Sequence, residues 1–369
     1  MIDRDEAVRL AEQAALGSLL YVPQAVDDVG RWLRTGDFAD PWHAQVYRLI
    51  REHHAAGHPL DATALGSEML RELGPRRSNL VGVHDLLAAA PTRPDPAVYA
   101  RMVLDAGLRR EIAGLGVLLR AGALQSAQTG GPAPVVNSSA LVDAALNSCS
   151  ARWAQAIGNP GAADETPVRL RPALHNADLR LGADKYLRVH PARDPVAEQE
   201  HEAALVGALI AHPAAIGEVA RWLPPGHISA PDWRTVYAAT VELAELGQPV
   251  DLATVAWATG RLSHHDQPAP ALAELHEAVD NGRLTDPRPA AAAVAGDQLR
   301  RIADNGAHQL MLGADNPGLL VSDLVDTGHL VTTALRSIAQ ALPHSARQAN
   351  RPALAVVRTL EPVPSAVGR

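Results

Sequence analysis

The chain has 369 residues, of which 47% are hydrophobic and 20% charged, and its formal net charge is −8. This length suggests two domains, the composition excludes a globally disordered chain, and the acidity argues against a protein that coats nucleic acid by itself. No apolar run of about 18 residues appears, so no membrane-spanning helix is predicted. The N-terminal residues lack the positive charge and apolar stretch of a secretory signal, and we therefore expect a cytoplasmic protein.

Amphipathic helices are the first elements that the pattern predicts. The first ends before Pro23, because apolar side chains recur at three- and four-residue steps up to that point. Asp40-Pro41 predicts a helix start, since Asp caps free N–H groups and Pro is tolerated at the first helical position. Gly57 predicts the end of that helix, and Asp61 the cap of the next.

Further along, a long helix is predicted from Pro96 to about Arg120. A loop rich in Gly, Pro, Gln and Ser follows, and then a helix from Asn137 to about Ile157. No extended alternation of β-branched residues predicts a strand. Residues 158–197 are expected to form a flexible linker, and 343–369 a disordered tail.

The chain repeats itself at a spacing of 190 residues. Of the 51 positions from 11 to 61, 18 are identical 190 residues later without a gap, whereas chance would give roughly a tenth. After one net insertion, Leu108-Arg109-Arg110 matches Leu299-Arg300-Arg301. The fold class predicted is therefore all-α, with two tandem helical-bundle domains over residues 1–157 and 198–342.

Two arginine pairs are the candidate partner-binding residues. Arg109-Arg110 and Arg300-Arg301 could bind a carboxylate-rich partner or phosphates. The alternative is that they are solvated charges on a helix. Direct nucleic-acid binding is expected to be weak or absent, because the chain is acidic overall and only 3% of its residues are aromatic.

Catalytic and metal-binding motifs are not found in the sequence. His201-Glu202 begins like H-E-x-x-H, but Leu205 stands where the second histidine is needed. The single lysine, Lys185, has no P-loop glycine frame around it, and no G-x-S-x-G or G-x-G-x-x-G occurs. Cys149 is interpreted as a buried or inert thiol. No catalytic residue, cofactor or metal is therefore predicted.

Other conspicuous residues have structural interpretations. Gly17, inside the first helix, favours close helix packing, and Trp32 and Trp222, which recur beside Leu, favour core positions. His54 and His58 are interpreted as a solvated pair, because Gly57 ends the helix that would have aligned them. The adjacent His264-His265-Asp266 is assigned to a surface loop.

At this point the first copy resembles a known family, the N-terminal domain of the DnaB-type replicative helicase. The resemblance depends on the order and spacing of five short motifs. They are residues 11–20 (Ala-Glu-Gln-Ala-Ala-Leu-Gly-Ser-Leu-Leu), Asp37-Phe38 with His43, Gly57-His58-Pro59-Leu60-Asp61 with Thr63, Tyr99-Ala100-Arg101, and Leu108-Arg109-Arg110. It covers about 150 residues and reappears, more weakly, in the second copy.

The resemblance implies a small globular bundle followed by a helical hairpin in each copy. The hairpins would be residues 96–121 with 138–157, and 287–306 with 319–341. In such helicases these hairpins pair, build a collar on the hexamer, and bind primase or loading factors. Three departures stand out: the domain occurs twice, the RecA-like ATPase motifs are missing, and the Gly-rich turn after the fourth helix is replaced by residues 75–79 and 264–268.

Two functional hypotheses follow from the resemblance. The first is a non-enzymatic interaction module whose copies pair within one chain and which binds a replicative helicase, a primase or a helicase loader. The second is a regulatory, non-motor subunit of a helicase assembly, with the ATPase supplied by a partner. Both place the protein in DNA replication.

Overall fold

The structure, a computed structural model, describes residues 3–74, 80–159, 166–170, 173, 177–263 and 268–341. These residues contain fifteen α-helices and no strand, which confirms the all-α prediction. The helices of the first half are α1 (Arg4–Tyr21), α2 (Val26–Val29), α3 (Pro41–Ala55), α4 (Ala62–Leu73), α5 (Leu80–Ala89), α6 (Pro96–Thr129) and α7 (Ala133–Ala156). Those of the second half are α8 (Ala177–Arg188), α9 (Pro195–Ala211), α10 (Ile216–Trp222), α11 (Pro231–Glu245), α12 (Leu252–Ser263), α13 (Leu272–Gly282), α14 (Pro287–Asp315) and α15 (Val321–Ala341).

The predicted helix starts are confirmed, each with its cap. The Asp40 carboxylate accepts a hydrogen bond from the Trp42 N–H at 2.7 Å, and Asp61 accepts from Ala64 N–H, also at 2.7 Å. Gly57 follows the end of α3 with φ of +71°, a left-handed conformation that glycine adopts without strain.

Two compact units make up the fold, and each contains segments of both sequence repeats. Unit 1 comprises Met1–Gly114, Ala144–Arg171 and Leu310–Thr327, and unit 2 comprises Leu115–Asp143, Pro172–Gln309 and Gly328–Arg369. The chain crosses from one unit to the other within each of the helices α6, α7, α14 and α15. The domain boundaries predicted from the repeat remain a prediction.

Close helix packing shapes the core of each unit. In unit 1 a methyl group at Gly17 on α1 would lie 2.0 Å from the carbonyl oxygen of Leu86 on α5. In unit 2 a methyl group at Gly207 on α9 would lie 1.9 Å from the carbonyl oxygen of Ala278 on α13. The packing interpretation of Gly17 is therefore confirmed, and its repeat partner has the same role.

The two recurring tryptophans differ in burial. Trp32 is buried, as its core interpretation requires, whereas Trp222 at the end of α10 is only half-buried. Its neighbour Leu223 is fully buried instead.

The hairpin helices are longer than the sequence predicted. The expected loop after Arg120 is helical as far as Thr129, and α7 begins at Ala133 rather than Asn137, so the turn spans only 130–132. Tertiary packing explains the difference, because Gly122 lies so close to Ser138 that a methyl group there would be 2.1 Å from its Oγ. In the second hairpin α14 is likewise longer at its inner end and extends to Asp315, whereas α15 begins at Val321, two residues after the predicted start at 319.

The stretch predicted as a flexible linker contains the helix α8. Leu179 and Ala183 are buried along one side of this helix, and the Tyr186 hydroxyl donates to Gln128 Oε1 at 2.6 Å within unit 2. Three turns with few apolar residues gave too weak a periodic signal for sequence reasoning to detect. The predicted tail 343–369 and the altered turns at 75–79 and 264–267 lie outside the described residues.

Among the described helices, none alone is both long and apolar enough to span a membrane. One sharply bent pair, Pro195–Ala211 with Pro213–Trp222, meets that criterion by length and composition.

Candidate partner-binding surface

The most extensive polar contacts between the two sequence repeats involve the hairpins. We call α6 with α7 hairpin 1, and α14 with α15 hairpin 2. Unit 1 holds the tip of hairpin 2 (310–327) beside the base of hairpin 1, and unit 2 holds the tip of hairpin 1 (115–143) beside the base of hairpin 2. Contacts within each unit therefore join one repeat to the other.

In unit 1, Arg4 binds the last carbonyl groups of α14, and Arg109 binds carbonyl groups of the loop that follows this helix. Arg109 donates to the carbonyl oxygens of Asn316 at 3.0 Å and Leu319 at 2.5 Å, and Arg4 to those of Ala314 and Asp315, each at 3.0 Å. The last carbonyls of a helix have no partner inside the helix and carry partial negative charge. The Arg4 guanidinium satisfies two of them here, those of Ala314 and Asp315.

Arg109 is held in place for this contact. Its side chain is only 7% exposed, and its Nε donates to the Asp105 carboxylate one turn earlier on α6 at 2.8 Å. An ionised group this buried needs several partners, and Arg109 has three. Within the described residues Arg109 contacts the chain's own second repeat, and binding of an outside partner by Arg109 remains a prediction.

In unit 2, α6 and α14 run antiparallel in close contact. A methyl group at Gly116 would lie 2.6 Å from Ala307 Cβ, and one at Gly296 would lie 3.0 Å from Ala127 Cβ. Between them, Arg120 Nε donates to Asp304 Oδ1 at 2.7 Å. Along these contacts the residue numbers increase on α6 while they decrease on α14, so the two helices are antiparallel. The small residues allow the two backbones to approach each other.

The second helices of the hairpins also meet in unit 2, around one carboxylate. Asp143 on α7 accepts from His329 Nδ1 at 3.0 Å, from Thr332 Oγ1 at 2.5 Å, and from Arg336 Nη1. All three donors belong to α15. Charge-assisted bonds of this kind are stronger than neutral ones and add geometric specificity.

The other three predicted arginines contact nearby backbone. Arg110 donates to the carbonyl of Asp37, and Arg301 donates to the carbonyl of the equivalent residue, His227, at 3.4 Å. Arg300 donates to the carbonyl of Pro191 at 3.1 Å in an exposed position. Binding of an outside partner by these arginines remains a prediction.

A buried ion pair joins hairpin 1 to the helices that precede it. Arg152 on α7 donates to the Asp37 carboxylate, to the Trp32 carbonyl at 2.9 Å and to Glu111 at 3.3 Å, and both Arg152 and Asp37 have side chains 4% exposed. Burial raises the pKa of the Asp37 carboxyl, while the adjacent Arg152 guanidinium opposes part of that rise. The pair therefore ties α7 to the segment 32–37 that precedes α3.

The glutamate of the incomplete H-E-x-x-H pattern is a structural residue. Glu202 is buried and accepts from the N–H and hydroxyl of Ser229 and from the N–H of Ala230. Its equivalent Glu12 accepts from Ala39 N–H at 2.5 Å and from His43 at 2.7 Å. Each carboxylate thus secures the loop before α3 or α11.

Other candidate groups are paired or inaccessible. His54 lies 3.1 Å from Asp27, and His201 lies 2.7 Å from Asp297. Cys149 is fully buried, and burial raises the pKa of its thiol well above the ordinary value. Over the residues that the structure describes, no group of three or more His, Cys, Asp or Glu side chains is placed to hold a metal ion.

Sequence reasoning missed Arg4 and Asp143, two of the main inter-repeat contacts. A signal for Asp143 exists, because Leu141-Val142-Asp143 on α7 recurs as Leu324-Val325-Asp326 on α15. No comparable signal marks Arg4, because its neighbours in the sequence resemble those at the start of any charged helix.

Comparison with known proteins agrees with the repeat. The family model described as "DnaB-like helicase N terminal domain" matches residues 6–105 and again residues 194–286, together slightly more than half of the chain. The chain belongs to this family. Both matches end before most of the hairpin residues described above, so the family assignment and the hairpin contacts are independent observations.

Two relatives illustrate how much of a helicase is represented. The "Replicative DNA helicase DnaB" of Mycobacterium leprae (strain TN) is 35% identical over 107 residues, which are 29% of this chain and 18% of the relative. That of Leifsonia xyli subsp. xyli (strain CTCB07) is 35% identical over 109 residues, 29% of this chain and 24% of the relative. The chain thus spans less than a quarter of the length of either relative. No solved structure matches it significantly.

Proposed function

We propose that this chain is a non-enzymatic protein-interaction module of DNA replication, located in the cytoplasm. It is related to the N-terminal collar of replicative helicases and binds a helicase, a primase or a helicase loader. The observation that carries the proposal is that both repeats match the family of helicase N-terminal domains. The similarity to the replicative helicases named above supports the same assignment.

The second part of the proposal is that the two repeats pair through their hairpins inside one chain. The guanidinium contacts of Arg109 and Arg4 in unit 1, and the Asp143 cluster in unit 2, support it. A chain whose hairpins bind each other behaves as a ready-made dimer. Its outer helices are then left to bind a partner.

This pairing favours the interaction module over the alternative of a subunit inserted into a helicase ring. A subunit that co-assembles through its hairpins needs those hairpins free, whereas here they are in contact with one another. An intramolecular partner has an effective concentration on the order of millimolar, which a second protein must exceed.

The test is direct binding of the purified full chain to purified helicase, primase and loader from the same cell, each alone. Calorimetry measures affinity and native mass spectrometry measures stoichiometry. Saturable binding to any of them, with the helicase hexamer intact, supports the interaction module. Replacement of one helicase subunit by this chain supports the alternative, and no binding to any of the three rejects both.

ATP hydrolysis by the chain alone is the second measurement. The proposal expects background turnover, because the sequence carries no Walker A lysine and the family match covers only the N-terminal domain. Turnover that persists through repeated purification contradicts it.

A further inference from the structure

We infer that the two hairpins are complementary in sequence, so that repeat 1 pairs with repeat 2 in preference to a second copy of itself. This inference rests on the internal pairing proposed above. It concerns three sites in unit 2: the Gly116–Ala307 contact, the Gly296–Ala127 contact, and the cluster around Asp143.

The comparison needs a register between the hairpins, and burial supplies one. On α6 and α14 an offset of 191 superimposes Leu108-Arg109-Arg110 on Leu299-Arg300-Arg301. The same offset brings the buried positions 112, 115, 116 and 119 onto the buried positions 303, 306, 307 and 310. On α7 and α15 the Leu-Val-Asp triplets give an offset of 183, which brings the buried positions 142, 145 and 149 onto 325, 328 and 332.

In this register Gly116 and Ala307 are equivalent residues that contact each other. If two copies of repeat 2 paired in the same way, Ala307 would face Ala307. A methyl group at position 116 lies 2.6 Å from Ala307 Cβ and 2.8 Å from its Cα, which is too close for two carbon atoms. Pairing of repeat 2 with itself therefore forces the helices apart.

Pairing of repeat 1 with itself meets two different obstacles. The equivalent of Gly296 is Asp105. Its Cβ would lie only 3.0 Å from Ala127 Cβ, and its carboxylate would add to the crowding. The Asp143 carboxylate would also lose its cationic and hydroxyl donors, because the equivalents of His329, Thr332 and Arg336 offer at most a thiol and a neutral indole N–H. They are Leu146, Cys149 and Trp153.

Only the mixed pair satisfies all three sites. It places one glycine at each close approach and provides three donors for Asp143. A carboxylate moved out of water without such donors is strongly disfavoured, and so is a steric overlap between helix backbones. Each repeat therefore carries elements that oppose pairing with its own kind.

The first experiment uses the full chain and the variants G116A, A307G and G116A/A307G, with G260A as the matched control. Gly260 lies in α12, and apart from its own helix backbone no described atom is within 4 Å of its Cβ position. Since alanine favours helix over glycine, G260A is expected to raise the midpoint of thermal unfolding slightly. G116A is expected to lower it, and the double variant, which exchanges the two residues, to recover most of the loss.

Hairpin contact is read out separately with a short bis-maleimide in an R120C/D304C background. The wild-type sequence at 116 and 307 should give an intrachain cross-link, G116A should reduce its yield at least threefold, and G116A/A307G should restore it. Chains that carry only one of the two introduced cysteines report any cross-link to the native Cys149. A G116A chain that behaves like G260A, or a double variant with no recovery, overturns the inference.

The second experiment tests specificity by light scattering across protein concentration. D143N weakens the mixed pair, and A307G removes the overlap that opposes pairing of repeat 2 with itself. D143N/A307G is therefore expected to form concentration-dependent dimers, whereas D143N alone stays monomeric. A double variant that stays monomeric contradicts the inference. None of these assays contains a helicase, primase or loader, so their failure is distinct from failure of the binding test.

Discussion

The junction between hairpin and bundle is charged in repeat 1 and largely apolar at the equivalent positions of repeat 2. Four residues form the network in unit 1: Arg34, Asp37, Glu111 and Arg152. Their equivalents in unit 2 are Pro224, His227, Ile302 and Leu335. Leu335 is fully buried, and burial next to Arg301 lowers the pKa of His227, which favours its neutral form.

The difference teaches that the fold does not depend on the ion pairs. Replacing a complete buried ion network by apolar residues is often neutral for stability, whereas removing one partner leaves a charge without compensation. Repeat 1 thus has a complete ion network at this junction, and repeat 2 has a largely apolar one. A variant that removes only one charge of the network in repeat 1 is expected to be the most destabilising.

The largest effect is therefore expected from Asp37→Ala in repeat 1. It leaves the buried guanidinium of Arg152 without its main partner and should lower the free energy of unfolding by about 3–5 kcal/mol. The measurement is denaturant unfolding of unit 1, monitored through the labelling of Cys149. His227→Ala, the equivalent change in repeat 2, is expected to cost less than about 1 kcal/mol.

A variant that copies repeat 2 into repeat 1 sharpens this comparison. D37H/E111I/R152L gives these three positions the residues of repeat 2, removes the three charges together and should recover at least half of the stability that Asp37→Ala loses. If the triple variant is less stable than Asp37→Ala alone, the network has a structural role that apolar packing cannot replace.

The next largest difference is expected between Arg109 and its equivalent Arg300. Arg109→Ala removes two bonds to the loop after α14 and leaves the Asp105 carboxylate without its guanidinium partner, which should cost about 1–2 kcal/mol. Arg300→Ala removes one exposed bond and should change stability by less than about 0.5 kcal/mol. Denaturant unfolding of both variants checks this, and equal losses would contradict the unequal roles assigned here.

The two core glycines should instead behave alike. Gly17→Ala and Gly207→Ala each place a methyl group about as close to a backbone carbonyl, at 2.0 and 1.9 Å, and each is expected to cost about 1–3 kcal/mol. Thermal unfolding of the two variants measures the effect. A stabilising change in either would mean that its helices can separate without penalty.

The smallest effect concerns reactivity rather than stability. Cys149 is fully buried and its thiol pKa is raised, so a thiol reagent should label the native chain slowly and the denatured chain within minutes. Mass spectrometry measures the labelled fraction over time. Rapid labelling of the native chain would show that α7 opens readily from unit 1.

The sequence alone determined the helical character of the chain, its duplication and its family. Local signals carried these inferences: Asp40 before Pro41, Gly57 after α3, and identities spaced by 190 residues. Each signal depends on residues close in the chain, where propensity and capping act directly.

Only the tertiary structure decided the length of the hairpins and the partners of their charged residues. The donors to Asp143 are 186 to 193 residues away, and the carbonyls bound by Arg109 are 207 and 210 residues away. No local preference can specify such pairs, because they depend on which helices meet and in which register. For the same physical reason, the identical triplet residue Asp326 is exposed while Asp143 is held by three donors.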